Sequence, residues 1–179
     1  PDLLVTGDGR HLALRTSDGG MAILRERAGE YVRATLGEGG GVEGDLPPLD
    51  ALPNARCSRD ACVVVHATPE RRWTILATRS GYSLDWEELV AACRAADIVV
   101  SERRLPRACR GRWLTLDRPA LERSGGVAVS LRRAGLVAVR DPGARHPWLH
   151  PPKVAPPRVG PTRLGDVGVR SKGADAGDR

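Results

Sequence analysis

The run from Trp73 to Val100 constrains the fold more than any other part of the chain. Residues 73–78 (WTILAT) are apolar and β-branched enough for a strand. Residues 86–95 (WEELVAACRA) carry Leu89, Ala92 and Cys93, with Ala96 beyond them, on one helical face, and Val90 lies beside it. Ser83 or Asp85 supplies the N-cap, and Asp85, Glu87 and Glu88 place negative charge at the positive end of the helix dipole. A second apolar strand follows at Ile98, Val99 and Val100. Strand, helix and strand in this order form a crossover, which implies a parallel pair in a sheet covered by helix on at least one face.

Around this unit the pattern is one of hairpins. Segments 3–5, 11–15 and 21–24 form an antiparallel meander, turned at Asp8-Gly9 and at Asp18-Gly19. Val63–His66 and the strand from Trp73 make a further hairpin. Trp113–Leu116 reads as a strand, and Ala120–Arg123 as a helical turn. Segments 127–131 and 136–140 alternate as a terminal hairpin. Gly29–Leu36 has helical spacing, and the glycine-rich run 37–44 is expected to end that helix. Residues 45–53 read as a proline-bearing connector. The class is therefore α/β with a mixed sheet, a strand-helix-strand crossover and a terminal hairpin.

The chain of 179 residues suits one domain. From Asp141 onward it carries seven prolines, many glycines and no long apolar run. Such a segment buries too little to offset its ordering entropy. The domain is expected to span 1–140, with 141–179 as a disordered tail. That tail carries Arg145, Lys153, Arg158, Arg163 and Arg170, which suit an acidic lipid or nucleic acid. No stretch of 18 apolar residues is present, so no membrane-spanning segment is expected. The start, PDLLVTGDGR, has neither Met nor a signal peptide and reads as if cut from a longer chain.

Chemistry-bearing motifs are sparse. The histidines are His11, His66, His146 and His150; Pro147 interrupts the last pair, and no helical ligand pair results. Arg79-Ser80-Gly81 lacks the frame of a nucleophile elbow, and Gly39-Gly40-Gly41 lacks the Lys-Ser/Thr of a phosphate loop. No catalytic residue, metal ligand or cofactor is assigned. Cys57, Cys62, Cys93 and Cys109 allow three pairings, and none of their spacings is a zinc knuckle. Cys57 and Cys62 close a hairpin if their Cα atoms come within disulfide range; Cys93 and Cys109 bracket the basic segment between them.

The net charge is +6, and lysine occurs only at Lys153 and Lys172, so the cations are nearly all arginine. Arg103, Arg104, Arg107, Arg110 and Arg112, with Trp113 beside them, form the densest basic stretch. Arginine pairs bidentately with phosphate and Trp stacks on a base, so this segment is a candidate nucleic-acid contact. Glu102 and Asp117 offset part of the charge, and a plain solvated loop is the alternative reading.

Several segments in order resemble one family: PDLLVTGDGRHLALR at 1–15, LRERAGEYVRATL at 24–36, NARCSRDACVVV at 54–65, and AACRAADIVVSERRLPRACRGRWLTLDRPALERSGGVAVSL at 91–131. Together they are similar to the C-terminal soluble region of the ComEC/Rec2 DNA-internalisation competence proteins, in their alphaproteobacterial form. The resemblance implies a metallo-β-lactamase-like αββα sandwich, partial or degenerate. It also implies a parent protein in the bacterial inner membrane that forms a channel for one strand of transforming DNA. This segment would lie in the periplasm, where oxidising conditions favour disulfides at the four cysteines. The expected partners are the transmembrane part of the same parent, DNA, and other competence proteins.

Active relatives carry a metal-ligand cluster that would precede Pro1, and a later histidine loop with no counterpart between Thr78 and Asp97. No catalytic residue carries over. The implied role is a non-catalytic domain of a DNA-uptake channel. The alternatives are part of a metal-dependent nuclease whose ligands lie upstream, and a purely structural domain packed on the channel.

Overall fold

The computed structural model describes residues 1–81 and 85–140. Ser83 and the segment 141–179, with its basic residues and its two histidines, lie outside the described residues.

Two five-stranded sheets form the frame. The first is antiparallel throughout, in the order β10-β9-β1-β2-β3, from β1 (Leu3–Thr6), β2 (Leu12–Arg15), β3 (Met21–Ile23), β9 (Gly126–Ser130) and β10 (Gly135–Ala138). The second is mixed, in the order β4-β5-β6-β7-β8, from β4 (Ala55–Cys57), β5 (Ala61–Ala67), β6 (Arg72–Thr78), β7 (Ile98–Val100) and β8 (Leu114–Leu116). Strands β4, β5 and β6 are antiparallel neighbours, whereas β6, β7 and β8 run parallel.

Period-2 alternation assigns each side chain to a layer. Leu3, Val5, Leu12 and Leu14 of the first sheet share one core with Val64, Trp73, Ile75, Ile98 and Val100 of the second. The intervening residues point outward. Ala13, Met21 and Ile23 pack with Leu36 of α1 (Glu30–Gly40), and Leu76 and Val99 pack with Leu89 and Cys93 of α2 (Trp86–Ala95). The layers thus run helix, sheet, sheet, helix. Helix α3 (Arg118–Ser124) joins β8 to β9 and buries Leu121 in the shared core.

Helix α2 and β7 fall at the expected residues, and the crossover makes β6 and β7 parallel. The Asp85 carboxylate accepts from the Glu87 and Glu88 N–H groups at 2.9 and 3.1 Å, as an N-cap does.

Three expectations are corrected. Helix α1 continues through Gly37, Gly39 and Gly40 and ends at Gly41, which has φ +66°. The glycines allow close approach to the sheet: a Cβ at Gly40 would stand 2.8 Å from Met21 Cγ. The connector ends in a short 3-10 turn (Leu49–Ala51) followed by β4. Residues 118–124 form a two-turn helix rather than a single turn. Its Asp117 cap accepts from Ala120 N–H at 3.2 Å, and Pro119 sits in the first turn, where no N–H is needed.

Both cysteine pairs are disulfides. Cys57 and Cys62 are directly opposite on β4 and β5, with Cα atoms 4.0 Å apart. Cys93 of α2 joins Cys109 of the loop after β7 across 5.1 Å. Among the described residues no helix is long and apolar enough to cross a membrane.

Candidate functional site

Because β8 runs parallel to β7, the chain must return along β7 between Ser101 and Trp113. This return carries all five arginines singled out from the sequence, and it is firmly held. Ser101 Oγ, itself 3.0 Å from Thr78 Oγ1, accepts from Arg103 N–H at 3.1 Å. Leu105 N–H donates to Asp117 Oδ2 at 3.3 Å, and Gly111 N–H donates to Thr115 Oγ1 at 3.0 Å. The Cys93–Cys109 disulfide fastens the middle to α2.

The same return separates the candidate contact residues. Arg103 and Arg104 stand at the C-terminal end of β7, and Arg104, Arg107 and Arg110 are exposed. Arg112 stands at the other end, where it donates to the Ala95 carbonyl at 2.9 Å and pairs with Asp97 at 3.2 Å. Trp113 is half-buried against the shared core, its ring centroid 4.8 Å from that of Trp73. Its ring is committed to Trp73. Arg112 and Trp113 therefore stand at the opposite end of β7 from Arg103 and Arg104, and the six residues do not form one stacking and phosphate-clamping patch.

What the fold assembles instead is a cleft of about 900 Å³ at the C-terminal end of β7. Arg10, Arg103, Arg118 and Arg140 line it, from the β1–β2 turn, the loop after β7, the first turn of α3 and the end of the terminal hairpin. Asp8, Glu102 and Glu122 are interleaved with them. Two contacts close the wall: Arg118 N–H donates to the Arg103 carbonyl at 3.2 Å, and Arg140 donates to the Glu122 carbonyl at 2.7 Å.

The charges are sorted by depth. Arg25 is largely buried and holds Glu102 at 2.9 Å, while its other bonds go to the Arg79 and Arg10 carbonyls, at 2.6 Å each. Arg10 reaches the same Glu102 at 3.3 Å, and its side chain stays 63% exposed. Arg118 pairs with Glu122 at 2.8 Å and stays 64% exposed. With Glu102 held from below by Arg25, Arg10 and Arg118 keep donors toward solvent for an incoming anion.

Asp8 and His11 sit together at the turn. Burial works to raise the Asp8 carboxyl, but bonds from the Thr6 hydroxyl at 2.6 Å and the Arg10 N–H at 3.0 Å hold it below the usual carboxylate value. Burial lowers the His11 imidazole; Arg25 and Arg10 push the same way, and Asp8 and Glu102 oppose them. His11 Nδ1 is buried without a hydrogen-bond partner. Among the described residues no group of three or more His, Cys, Asp or Glu side chains is placed to hold a metal ion.

No family model matches this chain, and neither a curated protein nor a solved structure does. Arg10, Arg118 and Arg140 were not legible as site residues, because each is an isolated arginine brought in by long-range pairing. The available signal was Asp8-Gly9 followed by Arg10, a hairpin turn that aims a cation at whatever lies beyond the strand ends.

Proposed function

We propose that this domain is non-catalytic and holds DNA by its phosphates at the C-terminal end of β7, as the soluble part of a membrane DNA-uptake channel of the ComEC/Rec2 type. The observation that carries the DNA contact is the convergence of Arg10, Arg103, Arg118 and Arg140 on one cleft, beside the exposed Arg104. Guanidinium groups on fixed backbone clamp phosphate with directional bonds and without regard to sequence. The helix-sheet-sheet-helix layering supports the metallo-β-lactamase-like reading, in degenerate form. The quoted sequence segments support the family, and with it a periplasmic placement, the transmembrane part of the same parent as a partner, and other competence proteins as further ones.

The test is binding of short single- and double-stranded DNA, followed by fluorescence anisotropy across a salt series. Each phosphate contact adds roughly 0.7 to 0.9 to the slope of log affinity against log salt. Arg10→Ala with Arg118→Ala should lower that slope by about 1 to 2 and weaken binding alike for all sequences. Arg112→Ala, at the far end of β7, should leave the slope unchanged. A wild-type chain that binds no DNA at low salt would overturn the proposal.

A further inference from the structure

We propose that the β9–β10 hairpin is a contact surface for an anionic lipid bilayer. Strand β10 is the outer edge of the first sheet; it carries Leu136 and Val137 at 43% and 70% exposure, and Val139 just beyond its end is 76% exposed. The register explains the exposure of the valines. Leu4, Ala128 and Val137 form one row across the outer face of the sheet. Helix α1 covers the Leu4 end of that row, packing on β1, β2 and β3, and leaves the Val137 end bare. Val139, two residues on, emerges on the same bare face, its N–H bonded to the Gly126 carbonyl.

The occupant follows from charge. From Arg123 to Arg140 the chain has arginines at 123, 132, 133 and 140 and no acidic residue. Arg132 and Arg133 are exposed in the turn at one end of β10; Arg123 and Arg140 are exposed near the other. An apolar strip with cations at both ends matches a phospholipid interface, with valines in the acyl boundary and guanidiniums among phosphate headgroups. The depth is shallow, because an open strand edge keeps backbone groups that require water. A protein partner would more often present a mixed rim, and nothing acidic on this hairpin would pair with its cations. Arg140 also lines the cleft proposed for DNA, but Arg132, Arg133 and Val137 lie outside it, so the two readings can be tested apart.

The test uses the full chain with sedimenting vesicles of phosphatidylcholine alone or with about a third phosphatidylglycerol. The wild type should pellet with the anionic vesicles and not the neutral ones. Arg132→Glu with Arg133→Glu should reduce partitioning roughly tenfold or more, since each arginine at an anionic surface contributes on the order of fivefold. Val137→Asp with Val139→Asp should do likewise. Both pairs are exposed, and unfolding temperatures check that the variants fold; if the valine pair does not, the turn pair still decides. Pelleting that survives the substitutions, or none with anionic vesicles, overturns the proposal. So does a lipid-free dimer that Val137→Asp with Val139→Asp dissociates, which would assign the strand to self-pairing.

Discussion

The Asp97 carboxylate stands 2.9 Å from the Arg71 guanidinium, across the junction between β6 and β7. The same oxygen takes Arg112 at 3.2 Å, and the second oxygen accepts from Thr74 N–H at 2.8 Å. Arg71 also lies 3.8 Å over the Trp73 ring. One buried acid thus ties the start of β7 to β6 and to the end of the arginine-bearing return. Its side chain is 6% exposed, whereas the two arginines are about half exposed. Removing the acid leaves cations that water can reach, so the cost falls below that of a fully buried pair. Asp97→Ala should destabilise by about 2 to 3 kcal/mol in urea unfolding, and Asp97→Asn by less. Arg71→Ala or Arg112→Ala should each cost about 1 kcal/mol or below.

The disulfides predict a redox dependence. The separations are 5 residues for Cys57–Cys62 and 16 for Cys93–Cys109. Loop-closure entropy assigns them about 2 and 3 kcal/mol. No described cysteine is free, so thiol titration of the unreduced, denatured protein should find no reactive thiol. Reduction should lower the unfolding temperature. Cys93→Ala with Cys109→Ala should reproduce the larger part of that loss, and it should also speed proteolysis between Ser101 and Trp113, which Cys57→Ala with Cys62→Ala should not.

Gly9 packs the β1–β2 turn closely against the loop after β7. Its φ is +69°, and a Cβ there would come within 2.8 Å of the Ser101 carbonyl and of Leu121 Cδ1. Backbone conformation and contact both exclude a side chain. Gly9→Ala should cost about 2 to 4 kcal/mol, since the turn must lift away from the loop after β7. Gly19→Ala, with φ +91° but open space around it, should cost about 1 kcal/mol, the conformational share alone. Thermal unfolding of the two variants separates steric from backbone cost.

Much of the fold was legible because its elements obey simple periods. Strands β1, β2, β5 and β6 alternate between two apolar layers, and α2 carries an acidic start and a single apolar face. The end of helix α1 is not legible in the sequence, because glycines that usually stop a helix here serve its fit on Met21 and Leu4. Strand β4 was hidden by its length, three residues among prolines and turns. The site was harder. Arg103 and Arg104 follow a strand and could be singled out, but Arg112 and Trp113 are carried away by the parallel return to β8, and local sequence does not state strand direction. Arg10, Arg118 and Arg140 meet only through the pairings of β1 with β9 and β9 with β10.

His11 and His66 are both shifted below the ordinary imidazole value of 6.5, in each case chiefly by burial. Around His11, Asp8 and Glu102 favour the cation and Arg25 and Arg10 oppose it; around His66, Asp2 and a bond to the Arg15 backbone favour it and the Arg15 guanidinium opposes it. A lowered folded value means that the unfolded chain binds more protons than the folded one below 6.5, so stability falls as pH drops through that value toward the folded values. Asp8 and Asp18 shift the same way from 3.8, and their contribution is lost only at more acidic pH, below that value. Urea midpoints measured from pH 8 to pH 5.5 should therefore be flat at the alkaline end and decline below about 6.5. His11→Gln with His66→Gln should flatten the decline. A decline that persists unchanged in that variant would show that other groups set it.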